Sequence, residues 1–324
     1  MVYILLIIGF ICLVKGADFF VSGSSAIAKH FNIPAFIIGL TIVAFGTSMP
    51  EAAVSATAAL REANGIALGN VLGSNIFNLL VVLGFSALLK SCPVSGSMLK
   101  FEYPLSILSA AVIILLCIGT GNHALVLSRA DGIIFLCIFT LFIVLTIKNV
   151  MSSRRDFDKL DSETVEHIEH DEKIMSLPKG ITYSVIGAAG ILIGGDVVVD
   201  CATDIAAAFG IDEVLIGLTI VALGTSLPEL VTSIVAAAKG ETDIAVGNVV
   251  GSNLFNILFV LGLSVTIHPI AVTMDSIYDS LILIAVSILI FIPMIRKRSI
   301  TRSWGIIMLL IYAAYLAYII LRTV

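Results

Sequence analysis

Two glutamates sit where a glutamate is hardest to place. Glu51 lies in FGTSMPEAAVS (residues 45–55), inside a run apolar enough to cross a bilayer, and Glu229 lies in a matching run. A lone carboxylate at mid-bilayer costs roughly 2.5–3.5 kcal/mol on insertion scales. Something must offset that cost. Oxygen is plentiful nearby. Thr47 precedes Glu51 by four residues, on the same helical face, and Ser48 adjoins it. Ser74 and Asn78 are again four apart. The mirrored set is Thr225, Ser226, Glu229, Ser252 and Asn256. None of these groups offers sulfur or imidazole. Such a set suits a hard cation, either Ca²⁺ with about six to eight oxygen ligands or Na⁺. Two carboxylates carry the charge that one Ca²⁺ neutralises.

Pro50 explains how the backbone joins in. It has no N–H for the Gly46 carbonyl, its ring clashes there, and it pushes Met49 away from helical dihedrals. The second span should therefore break between about residues 44 and 50, freeing carbonyls near Ala44 to Gly46. Pro228 and Gly224 should do the same in the second half. Such breaks are tolerated in lipid only where they face protein or a wet cavity.

The elements that hold these residues are membrane helices. The chain has 324 residues, 59% hydrophobic and 13% charged, with a mean hydropathy of +1.11. A soluble domain carries about 25% charged residues. Ten stretches are long enough to span: 2–26, 35–60, 66–89, 101–119, 131–148, 179–205, 212–238, 244–266, 275–295 and 303–321. Each must satisfy its own backbone, so the fold is an all-α integral membrane bundle. The N-terminal span has no basic residue before Lys15 and no clear cleavage site, and reads as a true span rather than a leader. The five cysteines are scattered without metal spacing.

The chain repeats itself. TIVAFGTSMPEAAVS (41–55) returns as TIVALGTSLPELVTS (219–233), and GNVLGSNIFNLLVVLGFS (69–86) as GNVVGSNLFNILFVLGLS (247–264). Both pairs share an offset of 178, with 23 of 33 positions identical. Gly9, Gly16, Asp18 and Gly39 match Gly187, Gly194, Asp196 and Gly217 at the same offset. Residues 1–148 and 179–324 thus form two halves of five spans, joined by the hydrophilic stretch 149–178. An odd number of crossings inverts the second half, and inverted repeats with mid-depth sites mark transporters. The expected fold is ten helices in two inverted repeats, with helices 2 and 7 broken at the midplane. With both termini outside, fourteen Lys and Arg fall on inner loops and flanks, while Arg61, Arg129 and Arg322 stay outside. The positive-inside rule selects that orientation and makes 149–178 cytoplasmic.

At GTSMPE…GSNIFN and GTSLPE…GSNLFN the chain resembles the cation/Ca²⁺ exchanger superfamily, in its prokaryotic sodium/calcium exchanger branch. The resemblance covers nearly the whole length. It implies that Glu51 and Glu229 are shared ligands of a central Ca²⁺. Thr47, Ser48, Ser74, Thr225, Ser226 and Ser252 look like Na⁺-site and gating ligands, Ala44 and Ala222 would add carbonyls, and Asn78 and Asn256 would complete the cluster. Some relatives carry Asp where Asn256 stands, an acid linked to K⁺ in the potassium-dependent ones. Asn in both halves implies no K⁺ requirement.

The implied activity is antiport of Na⁺ for Ca²⁺ across the cytoplasmic membrane, with no cofactor, no nucleic acid and no obligate protein partner. Exchange of three Na⁺ for one Ca²⁺ would move one net charge, worth about 2.3 kcal/mol per 100 mV. Burial and like-charge repulsion penalise two bare carboxylates, so H⁺ should compete and transport should fall at low pH. A Ca²⁺/H⁺ antiporter on the same scaffold is the alternative, and a passive cation channel a more distant one. Motifs of metalloprotease, α/β-hydrolase and phosphate-loop enzymes are absent from the sequence.

Three weaker features remain. Gly9, Gly16 and Gly23 recur every seven residues, and Gly187 with Gly194 repeats the pattern, giving smooth faces on which the first and sixth spans could slide. Lys15 is spaced to pair with Asp18. His167 and His170 share a helical face in the acidic stretch, which reads as a solvated linker.

Overall fold

The computed structural model describes residues 2–62, 64–119, 125–161, 175–209 and 222–323. Among the described residues the regular structure is helical apart from four two-residue strands. The first helices are α1 (Val2–His30), α2 (Ala35–Thr47), α3 (Met49–Leu60), α4 (Gly65–Leu89) and α5 (Met98–Ile118). Next come α6 (Arg129–Asp161), α7 (Leu177–Ala208), α8 (Ala222–Thr225) and α9 (Leu227–Lys239). The last are α10 (Thr242–Ile267), α11 (Met274–Lys297) and α12 (Arg302–Thr323). Among the described residues eight helices are long and apolar enough to span a membrane, or nine if α2 and α3 are one bent span. The chain is a multi-pass membrane protein. Of the expected seventh span, 212–221 lie outside the described residues, as do Gly217, His167 and His170.

Two boundaries differ from the hydropathy reading. Helix α6 runs past residue 148 to Asp161, because extending a formed helix fixes one residue per added hydrogen bond whether or not the residue is apolar. The break in the second span falls on Ser48 (φ −86°, ψ 9°), while Met49 is already helical. Pro50 occupies the first turn of α3, where its missing N–H costs nothing and its fixed φ suits a helix start. The two pieces bend by 48°. Ser226 repeats the break before Pro228 (φ −91°, ψ 4°).

Helices α4 and α10 form the centre. Over an apolar 18-residue stretch they are 83% and 94% buried, against 17–39% for the other six long helices. Both contain widened, π-type turns, at Asn78–Val82 and Phe255–Leu261. Two antiparallel ladders tie loops of the first half to loops of the second. Strand β1 (Cys92–Pro93) pairs with β4 (Ser299–Ile300), and β2 (Val126–Leu127) with β3 (Ile270–Ala271).

Helices α1 and α7 lie against each other backbone to backbone. A Cβ on Gly16 would stand 2.7 Å from the Ile191 nitrogen, one on Gly194 2.5 Å from the Leu13 nitrogen, and one on Gly23 2.5 Å from the Gly180 oxygen. The pair is set apart from the main apolar core. Leu13, Ala17, Phe20, Val21 and Ile191 form a second cluster with Ile38, Val43 and Ala236. Asp18 pairs not with Lys15 but with Lys239 at the end of α9, Oδ1 to Nζ 2.7 Å. That lysine also donates to Ser22 Oγ at 2.5 Å. A tertiary contact that brings a cation to the helix displaces the three-residue pairing that spacing alone suggests. The pair is partly exposed, so Lys239→Ala is expected to lower stability by no more than about 1 kcal/mol, read from the thermal midpoint in detergent.

Candidate metal centre

The two breaks place both acids in the first turn of a helix, Glu51 in α3 and Glu229 in α9. A helix N-terminus carries about half a positive charge, which favours a carboxylate there. Each acid is then reached from the other half of the chain. Ser48 Oγ donates to Glu229 Oε1 at 2.7 Å, and Ser226 Oγ lies 3.0 Å from Glu51 Oε1. Ser74 Oγ is 3.1 Å from the same Ser226 hydroxyl. Thr47 Oγ1 lies 3.1 Å from both the Val43 carbonyl and Asn248 Oδ1. Thr225 Oγ1 makes the corresponding approach to Asn70 Oδ1, 3.5 Å. The Ala44 carbonyl keeps two partners, the Ser48 N–H at 3.0 Å and the Thr47 hydroxyl at 3.4 Å, so it is not freed outright. Ala222 opens α8.

Every predicted site residue whose burial is described is at most 9% exposed. The break gathers Glu51, Glu229, Ser48, Ser226 and Ser74 directly. Asn78 and Asn256 sit one turn beyond Ser74 and Ser252 on the two central helices. Five buried oxygens of the predicted set have no hydrogen-bond partner: Glu51 Oε2, Glu229 Oε2, Asn78 Oδ1, Asn256 Oδ1 and Ser252 Oγ. An unsatisfied buried polar group costs about 1–3 kcal/mol, more when charged. Buried oxygens left so are acceptors that a cation would satisfy. Among the described residues no group of three or more His, Cys, Asp or Glu occurs. A metal here would rest on two carboxylates with hydroxyl and amide oxygens.

Sequence reading passed over a second set. Asn70 Nδ2 donates to Ser55 Oγ at 2.9 Å, and Asn248 Nδ2 to Ser233 Oγ at 2.9 Å. Asn75 and Asn253 bridge the central helices. All six residues lie inside the repeated motifs, identical in both copies. Identical polar residues within apolar spans were the signal.

The sodium/calcium exchanger protein family matches residues 1–148 and 179–321. The chain belongs to this family. It is a family of membrane exchangers rather than enzymes. This exchanger chain is 33% identical to the sodium/calcium exchanger MaX1 of Methanosarcina acetivorans, over 97% of both chains. It is 40% identical to the inner membrane protein YrbG of Escherichia coli, over 82% of this chain and 79% of that one. Its structure is similar to the sodium-calcium exchanger NCX_Mj soaked without Na⁺ and Ca²⁺, with a TM-score of 0.82, 31% identity and 98% of each chain covered. It is as similar to NCX_Mj soaked with 10 mM Na⁺ and 10 mM Sr²⁺, with a TM-score of 0.81, 32% identity, and 98% of this chain and 97% of that one covered.

Proposed function

We propose that this cation/Ca²⁺ antiporter exchanges Na⁺ for Ca²⁺ by alternating access. The observation that carries the reading is reciprocal. Ser48 of the first half binds Glu229, Ser226 of the second binds Glu51, and each acid keeps one oxygen unpartnered. Glu51 and Glu229 are the shared Ca²⁺ ligands. Thr47, Ser48, Ser74, Thr225, Ser226, Ser252 and the carbonyls of Ala44 and Ala222 serve Na⁺, and Asn78 with Asn256 completes the centre. The many hydroxyls support Na⁺ over H⁺ as the driving ion, because proton coupling needs only the carboxylates.

The architecture proposed is ten spans in two inverted halves, 1–148 and 179–324, with both termini outside and 149–178 cytoplasmic. The ladders support it. Alternate crossing puts β1 and β4 on the inner face and β2 and β3 on the outer, and each pairing joins loops of one face. The reciprocal bonds at an offset of 178 support it as well.

Radioactive Ca²⁺ uptake into proteoliposomes tests the coupling. An outward Na⁺ gradient should drive uptake and an equal pH gradient should not; uptake under the pH gradient alone would assign the antiport to H⁺. Uptake at about pH 5.5 should also fall well below that at about pH 7.5, since protons compete for two buried acids. Equal rates at both would remove that competition.

A further inference from the structure

A carboxamide can turn either an oxygen or an N–H₂ towards a cation, and only the oxygen binds it. Asn78 and Asn256 are fully buried at the centre, each with Oδ1 unpartnered. Nothing in an asparagine itself selects that orientation, so the neighbours must. Asn75 Nδ2 donates to the backbone carbonyl of Asn253 at 3.3 Å, and Asn253 Nδ2 to the backbone carbonyl of Asn75 at 3.3 Å. A carbonyl oxygen only accepts, which fixes the flip of both amides. Their Oδ1 atoms are thereby turned to the next pair. Asn253 Oδ1 accepts from Asn78 Nδ2 at 3.2 Å, and Asn75 Oδ1 from Asn256 Nδ2 at 3.3 Å. With those Nδ2 groups engaged, the oxygens of Asn78 and Asn256 must face the other way.

We propose that Asn75 and Asn253 are positioning residues that lock the amides of Asn78 and Asn256 with oxygen towards the transported divalent cation. The inference rests on the reading of the buried oxygens as the Ca²⁺ site. It adds a relay in which two backbone carbonyls set the polarity of four side chains. Groups that orient a metal ligand from behind change affinity by about 10–100-fold when removed.

The test is a double-mutant cycle in proteoliposomes, reading KM and Vmax for Ca²⁺. Asn75→Ala frees Asn256 to flip, and should raise KM about tenfold with Vmax within about twofold. In an Asn256→Asp background both side-chain termini are oxygen, so no flip exists. There Asn75→Ala should change KM less than about twofold. Asn253→Ala with Asn78→Asp gives the same cycle from the other half, and decides the matter if Asn75→Ala does not fold. Equal KM increases in both backgrounds, or parallel losses of Vmax and thermal stability in both, would show a packing role and overturn the proposal. So would no increase in either. Glu51→Gln keeps the two ideas apart: normal transport by that variant would overturn the site itself, while a dead Glu51→Gln with an additive cycle would overturn only the relay.

Discussion

Replacing Glu51 or Glu229 by Gln is expected to abolish Na⁺-driven Ca²⁺ uptake while the protein still folds. Gln is isosteric, and its oxygen can still accept the hydroxyl that reaches each acid, Ser226 for Glu51 and Ser48 for Glu229. The backbone break and its helix start are untouched. What changes is charge: the site drops from two negative charges to one, facing a dication. Removing one partner of a buried charge pair costs about 3–5 kcal/mol, which is about a hundredfold to several thousandfold in binding. The two variants should be about equally impaired, because each acid accepts from a serine of the other half and keeps one oxygen unpartnered. Uptake and Ca²⁺ binding by calorimetry in detergent check this together. Transport within about twofold of wild type in the Glu51→Gln, Glu229→Gln double variant would remove both acids from the ion path.

Much of this site was legible because the chain writes it twice. One copy of a proline beside an acid reads as a kink. Two copies at one offset isolate Glu51, Ser48, Ser74 and their mates, and the structure brings those residues together. The Asn75–Asn253 bridge was not legible, although both residues stand inside the repeated motif. Spacing of four residues finds neighbours on one helix, and these partners lie on different helices. The Asp18 pairing failed for the same reason, with the cation arriving from α9. The widened turns at Asn78–Val82 and Phe255–Leu261 contain no proline to mark them in the sequence. Proline rules located the break to within a few residues. They missed that Pro50 would start the new helix rather than end the old one.

Gly16→Leu is expected to stop transport without unfolding the protein. The Cβ alone would meet the Ile191 nitrogen at 2.7 Å and the Gly190 carbonyl carbon at 2.8 Å, both backbone atoms that cannot rotate aside. A leucine there must push α1 and α7 apart along a contact that continues through Gly9 and Gly23. Folding should survive, because the main apolar core contains no residue of either helix. Movement should not. If the pair slides across the rest of the bundle to expose the acids to one face at a time, that motion needs the smooth glycine surface. Vmax should therefore fall at least about tenfold, a barrier increase of about 1.4 kcal/mol or more. Ca²⁺ affinity in detergent should stay near wild type, since a side chain at residue 16 is directed against the α7 backbone at Gly187, Gly190 and Ile191. Gly69→Ala is the control: its Cβ meets nothing within 4 Å, and it should transport normally. Full activity in Gly16→Leu would leave the α1–α7 contact as packing alone and place the moving part elsewhere in the bundle.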